Sequence, residues 1–101
     1  MKTAIASEGK KLDSEVCPTA GRAPFYLIFE NNNLIKTIKN PFAIGGGGAG
    51  NSVAQMLYNE KVNQVISGKF GEKMIEALNE KNMKYQSMFN LKVKEAMEKI
   101  K

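Results

Sequence analysis

The chain of 101 residues has no histidine and a single cysteine, Cys17. One thiol cannot close an internal disulfide, which fits a reducing compartment. With no histidine and one sulfur ligand, counting ligands excludes a closed, all-protein zinc site. Long apolar runs are missing as well, and no stretch approaches the ~20 residues of a membrane span. The start, Met1-Lys2-Thr3-Ala4-Ile5-Ala6, turns polar at Ser7-Glu8-Gly9-Lys10, too early for the apolar stretch of a signal peptide. Internal repeats and low-complexity linkers are also absent. At 43% hydrophobic content the chain can bury a real but modest core. The expectation is one soluble, cytoplasmic domain over residues 1–101, without a membrane partner.

Carboxylates are missing where hydrolytic chemistry would need them. Two-metal cleavage of nucleic acid requires acids projecting from the sheet, and the first and fourth predicted strands carry none. Glu8, Asp13 and Glu15 fall in an irregular segment and Glu30 at the far end of its strand, so all four read as solvated. Phe25, Tyr26 and Phe29 belong to a core strand, not to a base-stacking surface. The net charge of +5 and pI of about 9.4 favour anionic partners. The lysines are scattered, however, and nucleic acid is not expected.

What the chain does have is Gly45-Gly46-Gly47-Gly48-Ala49-Gly50-Asn51-Ser52, between a strand-like and a helix-like run. A packed element rarely tolerates this, because each glycine forfeits backbone entropy and buries no side chain. The spacing approaches a phosphate loop, Gly45 and Gly50 followed by Ser52, but Asn51 stands where that motif needs lysine. No aspartate follows residues 62–67 to hold magnesium. Triphosphate hydrolysis is therefore not expected. Two readings stay open: an anion cradle of backbone N–H groups before a helix, or a flexible connector.

The pattern of apolar residues supplies the elements. Residues 3–6 read as a central strand, and Phe25-Tyr26-Leu27-Ile28-Phe29 as a strand covered on both faces. Asn31-Asn32-Asn33 suits a tight hairpin into residues 34–39, an edge strand that Pro41 stops. Ser52 and Gln55 have capping-box spacing for a helix with Val53, Met56 and Leu57 on its apolar face, running to about Glu60. Residues 62–67 form the next strand. Met74, Ile75 and Leu78 then mark a second helix, and residues 84–88 an exposed strand. Asn90 is placed to cap a last helix carrying Val93, Ala96, Met97 and Ile100.

Strand-helix-strand units require right-handed crossovers and parallel pairing. An α/β fold of three layers follows: a five-stranded mixed sheet ordered 3-2-1-4-5, strand 2 antiparallel, with helices on both faces. This is a ribonuclease-H-like arrangement. Ligands in open α/β sheets bind beyond the carboxyl ends of strands at the switch point. Residues 7–23, 40–51 and 67–71 all leave that edge, bringing Cys17, Lys10, Lys11, Arg22 and Lys69 to one rim. Cys17 there reads either as a thiolate ligand favoured by positive neighbours or as a small apolar filler. Phe70 reads either as a cover over a ligand or as packing beneath the second helix.

Several motifs together resemble a known family. They are Ala4-Ile5-Ala6-Ser7, Leu12-Asp13-Ser14-Glu15-Val16, Gly21-Arg22-Ala23-Pro24-Phe25-Tyr26-Leu27-Ile28, Asn40-Pro41, the Gly45-to-Gly50 run, and Val65-Ile66-Ser67-Gly68 with Gly71. The chain resembles the dinitrogenase iron-molybdenum cofactor biosynthesis family, which includes NifX, NifY and the carboxyl-terminal part of NifB. The resemblance implies a ribonuclease-H-like fold and non-catalytic binding or carriage of an anionic iron-sulfur or molybdenum-containing cluster. Cluster-assembly or acceptor proteins would be its partners, and small members need not serve nitrogenase. Nitrogenase-associated members often place histidine and phenylalanine before the glycine that is Gly21 here, where this chain has Thr19-Ala20. Cys17 is the nearby substitute for that ligand.

The expected cargo site is therefore Cys17, Arg22, Gly46, Gly47, Gly48, Gly50, Asn51, Ser52 and Lys69, with Cys17 as the metal contact. No catalytic residue and no nucleotide are expected. The alternative is a phosphate- or nucleotide-binding regulatory module that uses the same loop without hydrolysis.

Overall fold

A computed structural model describes residues 1–44 and 49–100. Five strands form one sheet: β1 (Lys2–Ser7), β2 (Phe25–Glu30), β3 (Asn33–Lys39), β4 (Gln64–Ser67) and β5 (Lys84–Ser87). Their order is β3-β2-β1-β4-β5. β2 pairs antiparallel with β1 and β3, while β4 is parallel to β1 and β5. This is the expected order and strand direction, compatible with a ribonuclease-H-like arrangement. Asn31 and Asn32 form the hairpin with φ of 51° and 69°, the left-handed backbone that a two-residue turn demands and asparagine tolerates.

Three helices cover the sheet: α1 (Ala49–Asn59), α2 (Glu72–Glu80) and α3 (Val93–Lys99). Strand alternation divides the core between two faces. Ala4, Ala6, Tyr26, Ile28 and Val65 meet Val53, Ala54 and Leu57 of α1 and Met74, Ala77 and Leu78 of α2. Ile5, Leu27, Phe29 and Ile66 meet Val93, Ala96 and Met97 of α3. The helix leading to β4 and the helix between β4 and β5 advance in one direction along the sheet. The fixed hand of such crossovers therefore puts α1 and α2 on the same face. Among the described residues, no helix is long and apolar enough to cross a membrane.

Two predicted helix starts are corrected. α1 begins at Ala49, so Ser52 lies inside the helix, and Gln55 bonds Asn59 Oδ1 at 2.9 Å instead of closing a capping box. The cap of α3 is Lys92, whose N–H donates to the Glu95 carboxylate at 2.7 Å, while Asn90 supplies a left-handed turn with φ of 58°. The helix ends were harder to read. Lys61 and Asn82 take positive φ after α1 and α2. The next N–H groups, of Val62 and Met83, bond Leu57 O at 3.1 Å and Leu78 O at 2.9 Å. This is the usual glycine closure made without glycine.

α1 starts early because Gly50 packs rather than turns. A Cβ at Gly50 would lie 2.8 Å from Met74 Cβ, and one at Gly68 only 2.6 Å from Pro18 Cα. Gly50→Ala should therefore destabilise by roughly 1–3 kcal/mol through overpacking, despite the better helix propensity of alanine. Gly68→Ala should cost more, since the obstacle is backbone. Urea denaturation measures both, and a Gly50→Ala protein as stable as wild type would refute the close helix contact.

Candidate functional site

The connection over residues 8–24 leaves β1 at the sheet's carboxyl edge, and backbone pairing fixes its course. Cys17 N–H donates to Ala6 O at 2.8 Å, and Gly68 N–H to Cys17 O at 3.0 Å. Lys69 N–H donates to Pro18 O at 2.6 Å, and Ala20 N–H to Lys69 O at 3.0 Å. Ser67 Oγ adds a bond to Cys17 O at 3.0 Å. From the sheet, the buried Tyr26 hydroxyl donates to Ala20 O. The segment thus reaches Gly21 and Arg22 with its buried polar groups largely satisfied, as burial requires.

Beside it opens a cavity of about 590 Å³. Thr19, Gly21 and Arg22 form one wall, Ala49 and Gly50 of α1 another, and Lys69, Gly71, Glu72, Lys73 and Met74 the third. Two helix amino ends therefore meet there. Gly71 is the cap of α2, with extended backbone and no side-chain hydrogen bond to the first turn. Free N–H groups and the helix dipole favour an anion at such an end, and Arg22, Lys69 and Lys73 add positive charge. Glu72 is the single carboxylate of the lining. The arrangement suits an anion larger than phosphate, held by charge and N–H groups against a partly apolar floor.

The structure divides the predicted site. Arg22, Gly50 and Lys69 come together in this cavity. Asn51 and Ser52 do not line it. They line a second cavity of about 560 Å³ with Pro41, Phe42, Gln55, Met56, Asn59 and Glu60. Gly46, Gly47 and Gly48 lie outside the described residues. Cys17 lines neither cavity and is only 5% exposed, its Sγ 3.4 Å from Thr19 O. The expectation of a favoured thiolate is corrected: burial first, then the nearby Glu8 carboxylate, pushes the thiol pKa up despite the Thr19 contact. Phe70 is buried in the α1/α2 core with its ring 5.2 Å from that of Tyr85, so packing is its role. Among the described residues, no group of three or more Cys, Asp or Glu is placed to hold a metal ion.

Sequence reasoning missed Thr19, Lys73 and Asn40. Lys73 falls off the apolar face that marks α2, and periodicity does not say what lies beyond a helix's first turn. Asn40 is buried, donating through Nδ2 to Ala23 O at 2.8 Å and Gly21 O at 3.3 Å. The signal available for it was a polar residue placed where a strand ends, before proline.

The whole chain, residues 1–101, matches the family described as dinitrogenase iron-molybdenum cofactor. The chain belongs to that family, as its motifs led us to expect. The apo form of the orange protein from Desulfovibrio gigas is similar over 98% of this chain and 85% of its own, at 26% identity and a TM-score of 0.91. A Thermotoga protein provisionally assigned as NifB is 28% identical over the same shares, with a TM-score of 0.84. A Methanocaldococcus jannaschii protein provisionally assigned as a dinitrogenase shares the fold, at 18% identity and a TM-score of 0.64, over 96% of this chain and 84% of its own. No curated protein is similar in sequence. Membership places the chain with proteins of iron-molybdenum cofactor biosynthesis or carriage.

Cys17 generates a pH prediction. A thiol whose pKa rises on folding binds its proton more tightly in the folded state. Its stabilisation is complete below the ordinary thiol value and is lost as pH rises through the raised one. The urea midpoint should therefore fall above about pH 9, and less steeply in Cys17→Ser. Thiol reagents should label the folded protein at least about tenfold more slowly than the denatured chain. Equal rates would contradict the burial.

Proposed function

We propose that the protein binds and carries an anionic metal-sulfur cluster or its precursor, without catalysis, in the cavity between the amino ends of α1 and α2. The observation that carries this reading is the meeting of two helix starts with Arg22, Lys69 and Lys73 around about 590 Å³. Family membership supports the choice of metal-sulfur cargo over a simple oxyanion. The backbone N–H groups at both helix starts and the Thr19 hydroxyl would donate to sulfur or oxygen on the cargo surface. The cations would neutralise its charge, and Met74 with Gly50 would offer apolar contact.

No thiolate lines this cavity. The cargo is held as an anion, not as a metal ligated by the chain, and Cys17 serves the course of the 8–24 segment. Charge-based holding also suits a carrier, because a cargo bound without covalent ligands leaves without ligand exchange.

Tetrathiomolybdate, a soluble molybdenum-sulfur anion, tests the reading by anaerobic titration. Wild-type protein should bind it, and Lys69→Ala and Lys73→Ala should each weaken binding by about two- to fivefold, the scale of one exposed charge. Added salt should shrink these differences. Uptake unaffected by either substitution would move the site elsewhere. Tighter binding of orthophosphate than of tetrathiomolybdate would favour a phosphate module instead.

A further inference from the structure

We propose that Asn40 is the positioning residue of this cavity, fixing the Arg22 wall against the amino end of α1. The inference rests on the reading that an anionic metal-sulfur species occupies the cavity.

Asn40 is only 4% exposed, and every arm of its amide has a partner. Nδ2 donates to Ala23 O at 2.8 Å and to Gly21 O at 3.3 Å, and Oδ1 accepts from Phe42 N–H at 3.0 Å. Its own N–H donates to Pro24 O at 2.9 Å. The two carbonyls bracket Arg22 in sequence, so one side chain sets the turn that presents the guanidinium. The bond from Phe42 ties that turn to the chain as it leaves β3.

The turn in turn lies against α1. A Cβ on Gly21 would meet Gly50 N at 3.5 Å and Ala49 Cβ at 3.7 Å, and one on Gly50 would strike Met74. Contact therefore runs from Asn40 through Gly21 and Gly50 to α2, crossing all three walls. Asn40 does not line the cavity and touches no cargo there. Only an amide of this length serves. Aspartate would turn a carboxylate oxygen toward two carbonyls, and alanine would leave the Gly21 and Ala23 carbonyls and the Phe42 N–H without this partner.

A merely structural asparagine would lower stability without changing the site. The test compares wild type, Asn40→Ala and Met97→Ala, which destabilises the α3 face remote from the cavity. Both variants should lower the urea midpoint. Asn40→Ala should weaken tetrathiomolybdate binding by about tenfold, while Met97→Ala stays within about twofold. In the unliganded protein, the amide resonances of Arg22 and Gly50 should shift in Asn40→Ala and not in Met97→Ala. Should Asn40→Ala not fold, Asn40→Asp carries the same comparison. Wild-type affinity in a folded Asn40 variant, or affinity that simply follows stability in both variants, overturns the proposal. If wild type itself takes up no tetrathiomolybdate, the reading of the cavity fails first and this inference falls with it.

Discussion

The structure depends on a short run of backbone pairing that prolongs the sheet beyond its named strands. Residues 16–20 lie between the carboxyl ends of β1 and β4, bonded to Ala6 on one side and to Gly68 and Lys69 on the other. Each such bond contributes about 1 kcal/mol net, but leaving a buried partner unmade costs more. The pairing is therefore worth most as an exclusion of other paths. Gly68 makes it feasible, because any Cβ there would run into the Pro18 backbone. Without this seam, Thr19, Gly21 and Arg22 would have no fixed relation to Lys69 or to either helix start.

The same connection treats the two faces of the sheet differently. Its first half closes the amino end of α3: Val93 N–H donates to Ser14 O at 2.8 Å and Lys94 N–H to Leu12 O at 2.9 Å. Among the described residues, its second half supplies no such backbone acceptor to the first turn of α2, and Gly71, the cap of that helix, makes no side-chain hydrogen bond to it. Donors consumed on one face thus stay available on the other. Buried N–H groups nearly always find partners, so an uncapped helix end beside a cavity with three cations is the place where an external acceptor gains most.

The sheet order was legible because three independent signals agreed: β2 is an unbroken apolar run from Phe25 to Phe29, Asn31 and Asn32 permit a tight turn, and crossover handedness leaves few topologies. The rim was legible too, since strand direction alone decides which loops share an edge. The site's residues were less so. Glycines were read as loop, yet Gly50 is helical and serves close packing, a role fixed by Met74 from a distant part of the sequence. Once α1 started at Ala49, helical rotation carried Asn51 and Ser52 toward a different cavity. Cys17 looked like a ligand because its segment lacks periodicity. Non-local backbone pairing, which leaves no periodic trace, instead buried it. Asn40 was invisible as a positioning residue for the same reason: its partners lie 17 and 19 positions away.

Magnitudes indicate how such a site would work. An anion at a helix amino end gains about 0.3–1 kcal/mol, and exposed ion pairs about as much, both reduced by salt. No single group here provides tight binding. A useful affinity arises only when the two helix ends and the cations act on one anion at once, which requires them to be set in place before it arrives. Restraining flexible groups only at binding would offset part of each small gain. The investment in buried, fully bonded Asn40, in the glycine contacts and in the paired residues 16–20 then has a functional sense on the proposed reading. Rigid walls make many weak attractions count together, and because each remains weak and screened, a partner that competes for a few of them can draw the cargo out.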